Sequence, residues 1–401
     1  VAKPGGFRQR GAVEVRRGAI MIRAAGLGAA AAVLIWAGAA EAQIKIGFHA
    51  PQSGPASADG KSATIGAEIA IDWINQAGGV LGQKLELVPY DDQNKPDQAV
   101  PIANKLIGQD KVTVVVSGSY SAPTRAAAGV FQAAGIPYVA AYAVHPDITK
   151  SGRFAFRTVI LGPPQGKGAA KFIADRFGKA RVSMLTMNND FGSSIAEGFK
   201  ETAPKLGLQI VKEYTFGLGE RQFGPIVAAV KNDNPDVIYA IGYYFIAGPL
   251  VAQLRAAGLK QPIVGAQAFD SMQFIEIAKD AAEGVFVVGG MDRFRNHPDL
   301  ERFKVEFKRR AGYEMEAVAA NSYSAVRLVA DALARAGSAD PAKLRDALAA
   351  TKNFPLLTGN LAFFNAIGEL YEPLEVTVVK NGNFYGAAVI DDPTILTPPA
   401  D

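Results

Sequence analysis

The chain has 401 residues, 49% of them apolar and 20% charged, with 42 Lys and Arg against 38 Asp and Glu. That balance excludes a disordered polyelectrolyte and gives enough apolar material for about two to three packed domains. There is no Cys, which excludes a disulfide framework, a thiolate metal site and a Cys nucleophile. The three histidines, His49, His145 and His297, lie too far apart in sequence to suggest a His-based metal site and read as structural or solvated.

From Met21 the chain reads MIRAAGLGAAAAVLIWAGAAEAQ. Arg23 supplies a positive start, 24–40 is uncharged and mostly apolar, and Ala40-Glu41-Ala42 is an A-x-A cleavage signal. The expectation is a secretory signal peptide at about 21–42, not a retained anchor. Residues 1–20 are basic and read either as an extended n-region or as the product of a start codon placed too early. Gly26-Leu27-Gly28-Ala29-Ala30-Ala31 fits a dinucleotide-binding string, but no strand precedes it. Removing 1–42 takes away six Lys and Arg and two acids, leaving 36 of each sign. The exported chain then has no electrostatic case for nucleic acid or membrane-surface binding. No Cys at the cleavage site means no lipid anchor is expected.

After the leader, 44–48 alternates as a strand and 49–55 is a loop by its Pro, Gly and Ser. Ile65, Ile69, Ala70 and Ile74 sit at helical spacing, stopped by Gly78-Gly79. Residues 85–90 form a strand ended by Asp91-Asp92, which reads as a turn, not a metal site. Ala99, Ile102, Ala103, Leu106 and Ile107 make a helical stripe. Strands are predicted at 112–116, 138–141 and 154–158. The rhythm then repeats, with helices near 164–177, 195–206, 223–231 and 246–257 and strands at 182–186, 210–216, 237–241, 262–265 and 285–288. Helices follow near 298–310, 317–336 and 341–351. The strands 374–379 and 384–390 flank Asn381-Gly382, a strong hairpin signal. Strand–helix alternation with few hairpins predicts parallel sheets with right-handed crossovers. About eleven units exceed one ordinary open sheet, so two doubly wound α/β lobes are expected.

The run VTVVVSGSYSAPTRAAAGVF, residues 112–131, is the most informative. A buried strand turns through Gly118, Ser119 and Ser121 into an alanine-rich helix expected from about Pro123. First-turn N–H groups with hydroxyls beside them either cap themselves or hold a small anion such as a carboxylate. Ligands on such sheets bind at the carboxyl ends of strands, so two facing lobes would share one site.

In order, IKIGFHAPQSGPASADG, GAEIAIDWINQAGGVLGQKLELVPYDDQNKPDQAV, the GSYSAPT loop, GRFAFRT, NNDFGSSIAEGF, DVIYAIGYYFIAGPLVAQLRAAGL and AAEGVFV resemble the periplasmic branched-chain amino-acid-binding proteins of ABC importers. The resemblance runs over nearly all of 44–390. It implies the type I periplasmic binding protein fold, with lobe 1 at 44–160 plus 291–372 and lobe 2 at 161–290 plus 373–395. Three hinge segments are implied near Leu161, Gly290 and Glu372. It further implies a monomer that closes on a small-molecule ligand and delivers it to an inner-membrane permease and its ATPase, with no cofactor. By resemblance, Ser121 holds the ligand carboxylate, with Ala122 and Thr124 beside it. Tyr142 offers a backbone carbonyl to an ammonium, and Val144 stands where a threonine is usual. Phe191 lies over the ligand, and Tyr243 and Tyr244 line the second lobe. Asp59 stands at the cleft mouth, as a ligand contact or as a solvated loop acid. Gln267 stands where amino-acid binders place a glutamate against the ammonium. A buried ammonium beside a neutral amide is costly, so Gln267 favours an amide or a small carboxylate as ligand, with a branched-chain amino acid still open.

A ligand-sensing receptor module of the same fold is the second reading, and the signal peptide weighs against its cytoplasmic form. An α/β dehydrogenase is the third, opposed by the lack of a glycine fingerprint after any strand beyond the leader. No G-x-S-x-G, H-E-x-x-H or phosphate-loop string appears, so no enzyme is expected.

Overall fold

The computed structural model describes residues 43–291 and 293–399. The expected signal peptide lies outside the described residues. Five parallel strands form the first sheet: β1 Ile44–Ala50, β2 Leu85–Asp91, β3 Val114–Ser117, β4 Tyr138–Ala140 and β5 Ala155–Arg157. Their order is β2-β1-β3-β4-β5. The second sheet begins with β6 Arg181–Met187, β7 Gln209–Phe216, β8 Val237–Ile241, β9 Ile263–Ala266 and β10 Phe286–Val288. Between the sheets' later pieces lies a small hairpin, β11 Lys352–Pro355 with β12 Asn360–Phe363. The second sheet ends with β13 Leu374–Lys380 and β14 Asn383–Ile390, giving the order β14-β13-β10-β9-β8-β6-β7. Its first five strands repeat the 2-1-3-4-5 winding of the first sheet, and β13 runs against them, paired antiparallel with β10 on one side and β14 on the other. Two doubly wound lobes result, each with one topological switch point.

The central strands are largely apolar because helices cover both faces of a parallel sheet. β3 and β8 are buried at every position. The Asn381-Gly382 turn takes positive φ at both residues, 49° and 67°, as a two-residue hairpin turn requires. The chain passes between lobes after β5, after β10 and before β13. Helices Leu300–Ala311 and Ala317–Ala336 return to the first lobe, where both pack on helix Ser57–Gln76. That packing is close because Gly66 faces the Ala319 carbonyl, and a Cβ added at Gly66 would lie 2.1 Å from that oxygen.

Three expectations need correction. Helix Ser57–Gln76 begins well before residue 65, since its early turns bury small residues (Gly60, Ala63) in place of a large apolar stripe. The 49–55 loop is shorter than expected because β1 continues through Ala50, paired with Asp91. The helix after β3 starts at Ser121, before Pro123, because a first-turn position does not need the missing N–H.

Candidate functional site

Each switch point delivers a loop to the space between the lobes. In the first lobe the chain leaves β3 and turns into helix Ser121–Ala134. Gly118 makes the turn possible, since a Cβ there would meet the Phe48 ring at 2.1 Å. The residue before this helix is Tyr120, in extended conformation with no side-chain cap bond. Ser121 therefore does not act as a self-satisfying cap. Its Oγ accepts from the Val144 N–H at 3.3 Å.

In the second lobe Asn189 follows β6 and caps helix Asp190–Thr202, accepting from the Gly192 N–H at 2.9 Å. This cap places Phe191 in the first turn. Tyr243 follows β8, and Gln267 follows β9 directly. Tyr120 of one lobe stacks on Tyr243 of the other, ring centres 4.0 Å apart at 12°. Phe191 packs against the same tyrosine at 5.1 Å. Two further contacts close the lobes together: Arg125 Nε to Asp190 at 2.7 Å, and the Tyr244 hydroxyl donating to the Pro55 carbonyl at 3.0 Å.

Behind the stacked tyrosines is a cavity of about 40 Å³. Of the residues expected from sequence, Asp59, Ser121, Tyr142, Phe191 and Gln267 line it. The others sit one step behind. The Thr124 hydroxyl donates to the Tyr120 carbonyl at 2.7 Å and pairs with Ser117. Val144 is buried, and its carbonyl accepts from Gly162 at 2.9 Å where the chain crosses to the second lobe. Ala122 is half-buried beside Ser121 and does not line the cavity. Tyr243 presents its ring to Tyr120, and its hydroxyl accepts from the Asn189 amide at 3.1 Å.

Sequence reading missed Tyr120, Asp270 and Asn321, which also line the cavity. Tyr120 had a signal, lying inside the GSYSAPT loop. Asn321 had a weaker one, as a polar residue on the mostly apolar buried face of helix Ala317–Ala336.

Asp59 is not a solvated loop acid. It lies in the first turn of helix Ser57–Gln76, 4% exposed, and accepts from the Tyr120 hydroxyl at 2.6 Å. Burial pushes its carboxyl up to about 7, against the lowering hydrogen bond from Tyr120, and the charge of Asp270 adds to the rise. Nearby Glu316 is pushed up to about 8, by burial first and then by Asp59, while Arg293 opposes the shift. Asp270 itself is paired with Arg293. The cavity is thus lined by one acid, Asp59, that burial drives toward its neutral form, with Glu316 in the same condition nearby.

Gln267 is engaged through both ends of its amide. Its Nε2 donates to the Tyr142 carbonyl across the cleft at 3.1 Å, and its Oε1 accepts from Gln165 Nε2 at 2.9 Å. Among the described residues no group of His, Asp and Glu could hold a metal ion. What converges here is the Ser121 hydroxyl, the aromatic residues Tyr120, Tyr142 and Phe191, neutral amides and the buried Asp59: groups that bind and desolvate a small solute. His49, buried between Asp92 and Tyr138 at 2.7 Å each, stands inside the first lobe and serves its core.

The family model for periplasmic binding protein matches residues 43–383. The leucine-, isoleucine-, valine-, threonine- and alanine-binding protein of Pseudomonas aeruginosa is 33% identical over 322 residues, which cover 80% of this chain and 85% of that one. The crystal structure of the leucine-binding protein LivK from Thermotoga maritima superposes with a TM-score of 0.81 at 28% identity, covering 88% of this chain and 99% of that one. The branched-chain amino acid transporter substrate-binding protein LivJ from Streptococcus pneumoniae, solved with isoleucine, gives 0.80 at 29% identity, covering 87% and 99%. The two doubly wound lobes, the cleft between their switch points and these matches agree, and the chain belongs to the periplasmic binding protein family.

Proposed function

We propose that the protein captures a small solute between its lobes in the periplasm and delivers it to an inner-membrane ABC permease and its ATPase. The solute is an amino acid, an amide or a small carboxylate, taken up by an importer of the branched-chain amino-acid type. The supporting observation is the buried cavity where Ser121 of one lobe faces Phe191 and Gln267 of the other. On this reading the protein is a monomer free in the periplasm, it catalyses nothing, and residues 44–160 plus 291–372 move against 161–290 plus 373–395. Closing brings both walls onto the solute, so affinity rests on contacts made from both lobes at once.

Ser121 and the N–H groups of its helix start hold the acceptor end of the solute. Charge-assisted bonds of this kind contribute about 1.5–3 kcal/mol each. Phe191 supplies apolar cover. Gln267 spends its donor on Tyr142, which supports a solute that places no free ammonium at that carbonyl.

The test is a thermal-shift screen over amino acids, amides and small aliphatic and aromatic carboxylates, followed by calorimetry on the hits. A solute at 1,000 times its dissociation constant adds about 4 kcal/mol of stability. Ser121→Ala and Phe191→Ala are each expected to weaken binding about tenfold or more without unfolding the protein. Full affinity in both variants would remove the site assignment.

A further inference from the structure

Beyond Gln267, toward the hinge, lies a second cavity of about 40 Å³. It shares Gln267, Gly289, Ala317 and Asn321 with the first, so one wall of residues separates two adjoining chambers. All three crossings between the lobes reach it, at Ile160, Gly290 and Glu372. The volume suits a few waters or one small polar group.

Among the described residues, two acceptors in this chamber have no partner. Gln165 is 2% exposed; its Nε2 donates to the Ile160 carbonyl at 2.6 Å and to Gln267, while its Oε1 accepts nothing. Glu372 is 7% exposed, and its Oε2 likewise accepts nothing. A buried acceptor left without a donor is destabilising, more so where it is charged. Such groups are explained when a donor arrives from outside the chain. Space is kept for one: a Cβ at Gly289 would come within 3.1 Å of Gln165 Oε1, and glycine with φ of 83° leaves that side open.

We propose that this hinge-side chamber is a subsite for a cationic group, an ammonium or amidinium, carried by the solute at the end remote from its Ser121-bound acceptor. This rests on the reading of the cleft given above and narrows its ligand class. The cation is not lost at Gln267 but moved one chamber along, where Gln165 and Glu372 receive it and the Gln267 side chain turns aside to let the solute pass. An ω-amino carboxylate has this layout; an α-amino acid does not.

The chemistry carries its own signature. Burial pushes the Glu372 carboxyl up to about 8, with the charge of Glu375 raising it further and Arg295 lowering it. Arg295 is itself held by Glu375 at 2.8 Å, so its charge offsets the rise only in part. Near neutral pH Glu372 is therefore mostly protonated. An arriving ammonium favours the carboxylate, and the Glu372 proton leaves to the buffer while the ammonium keeps its own three. Binding should release roughly one proton for each solute bound.

The experiment compares ω-aminopentanoate, pentanoate and leucine by calorimetry on the chain lacking its leader, near neutral pH in two buffers of different ionisation enthalpy. Expected is at least a tenfold preference for ω-aminopentanoate over pentanoate, with a proton released only for the former. Glu372→Gln, which keeps an acceptor of the same shape, should abolish both the preference and the proton release while pentanoate affinity stays as in the parent. Pentanoate binding doubles as the control for folding. Equal affinities for the two acids, or a preference that survives in Glu372→Gln, would overturn the subsite and leave the cleft reading standing. Leucine binding alone, unaffected by Glu372→Gln, would do the same. Binding of none of the three, nor of any solute in the wider screen, would overturn the cleft reading and the subsite together.

Discussion

Replacing Asp59 by Asn should stabilise the folded protein, and by more at high pH than at low. The carboxyl is buried, and its value rises from 3.8 to about 7 on folding. The folded state thus holds its proton more tightly than the unfolded state. Stability from this group is complete below about pH 4, is lost as pH rises toward 7, and is level above that. Three pKa units correspond to about 4 kcal/mol at 1.36 each, and relaxation around the ionised group brings the expected loss to about 2–4 kcal/mol. Asp59→Asn keeps an oxygen for the Tyr120 hydroxyl, which now donates at 2.6 Å, and removes the titration. It also relieves Glu316, whose carboxyl is raised partly by the Asp59 charge. Both effects have the same sign. The measurement is urea unfolding, followed by far-UV circular dichroism, at intervals from about pH 4.5 to 8 for parent and variant. The stability difference should widen with pH by about 2–4 kcal/mol in favour of the variant. Parallel curves would show that Asp59 titrates normally in the fold, and the account of a desolvated Asp59 in the cleft would fail with them.

Two further perturbations probe the lobes themselves. Gly66→Ala drives a methyl into the Ala319 carbonyl 2.1 Å away, so helices Ser57–Gln76 and Ala317–Ala336 must part; a loss of about 1–3 kcal/mol is expected in urea titrations, whereas Gly224→Ala, with nothing within 4 Å, should cost less than about 1 kcal/mol by the same assay. Arg157 is wholly buried, bonded to the Ala143 and His145 carbonyls and to Glu369 at 2.7 Å. Arg157→Met should cost about 3–5 kcal/mol because it strands Glu369, and adding Glu369→Met should return part of that loss; a double variant no better than the single would refute the ion-pair explanation.

The two-lobe fold could be read from sequence because its strands are buried on both faces. Runs such as 114–116 and 237–241 are apolar without a break, and the intervening helices carry stripes of large apolar residues. Where packing rests on small residues the signal fades. The early turns of helix Ser57–Gln76 read SADGKSAT, polar by composition, yet Gly60 and Gly66 set how near their neighbours come. The hairpin of β11 and β12 was illegible for a different reason. It contains Pro355 and mostly exposed positions, with Leu361 alone fully buried. The site was legible in part. Ser121, Phe191 and Gln267 sit at strand ends, where the topology of any such sheet gathers a ligand. Tyr120 and Asn321 depend on which side chain the opposite lobe or a distant helix turns inward. No periodicity within a single segment carries that information.

Gln267 ties these observations together. A neutral amide at the end of β9 can do what a carboxylate there cannot, which is to donate as well as accept. It uses both capacities, bridging Gln165 and the Tyr142 carbonyl at 2.9 and 3.1 Å. The bridge spans the two lobes and adds to the stacking of Tyr120 on Tyr243 in favouring closure. A solute that aimed an ammonium at Tyr142 would have to displace that amide and forgo about 0.5–1.5 kcal/mol for each hydrogen bond broken, with no opposing charge at position 267 in return. A solute that binds through an acceptor at Ser121 leaves the Tyr142 bond to re-form around it. The preference follows from a difference between two states of one side chain, so it should appear as a ratio of affinities and not as tight binding in itself. On our proposal the same side chain is also the partition before Glu372, and so the residue that sets the near end of the cleft also controls entry to its far end.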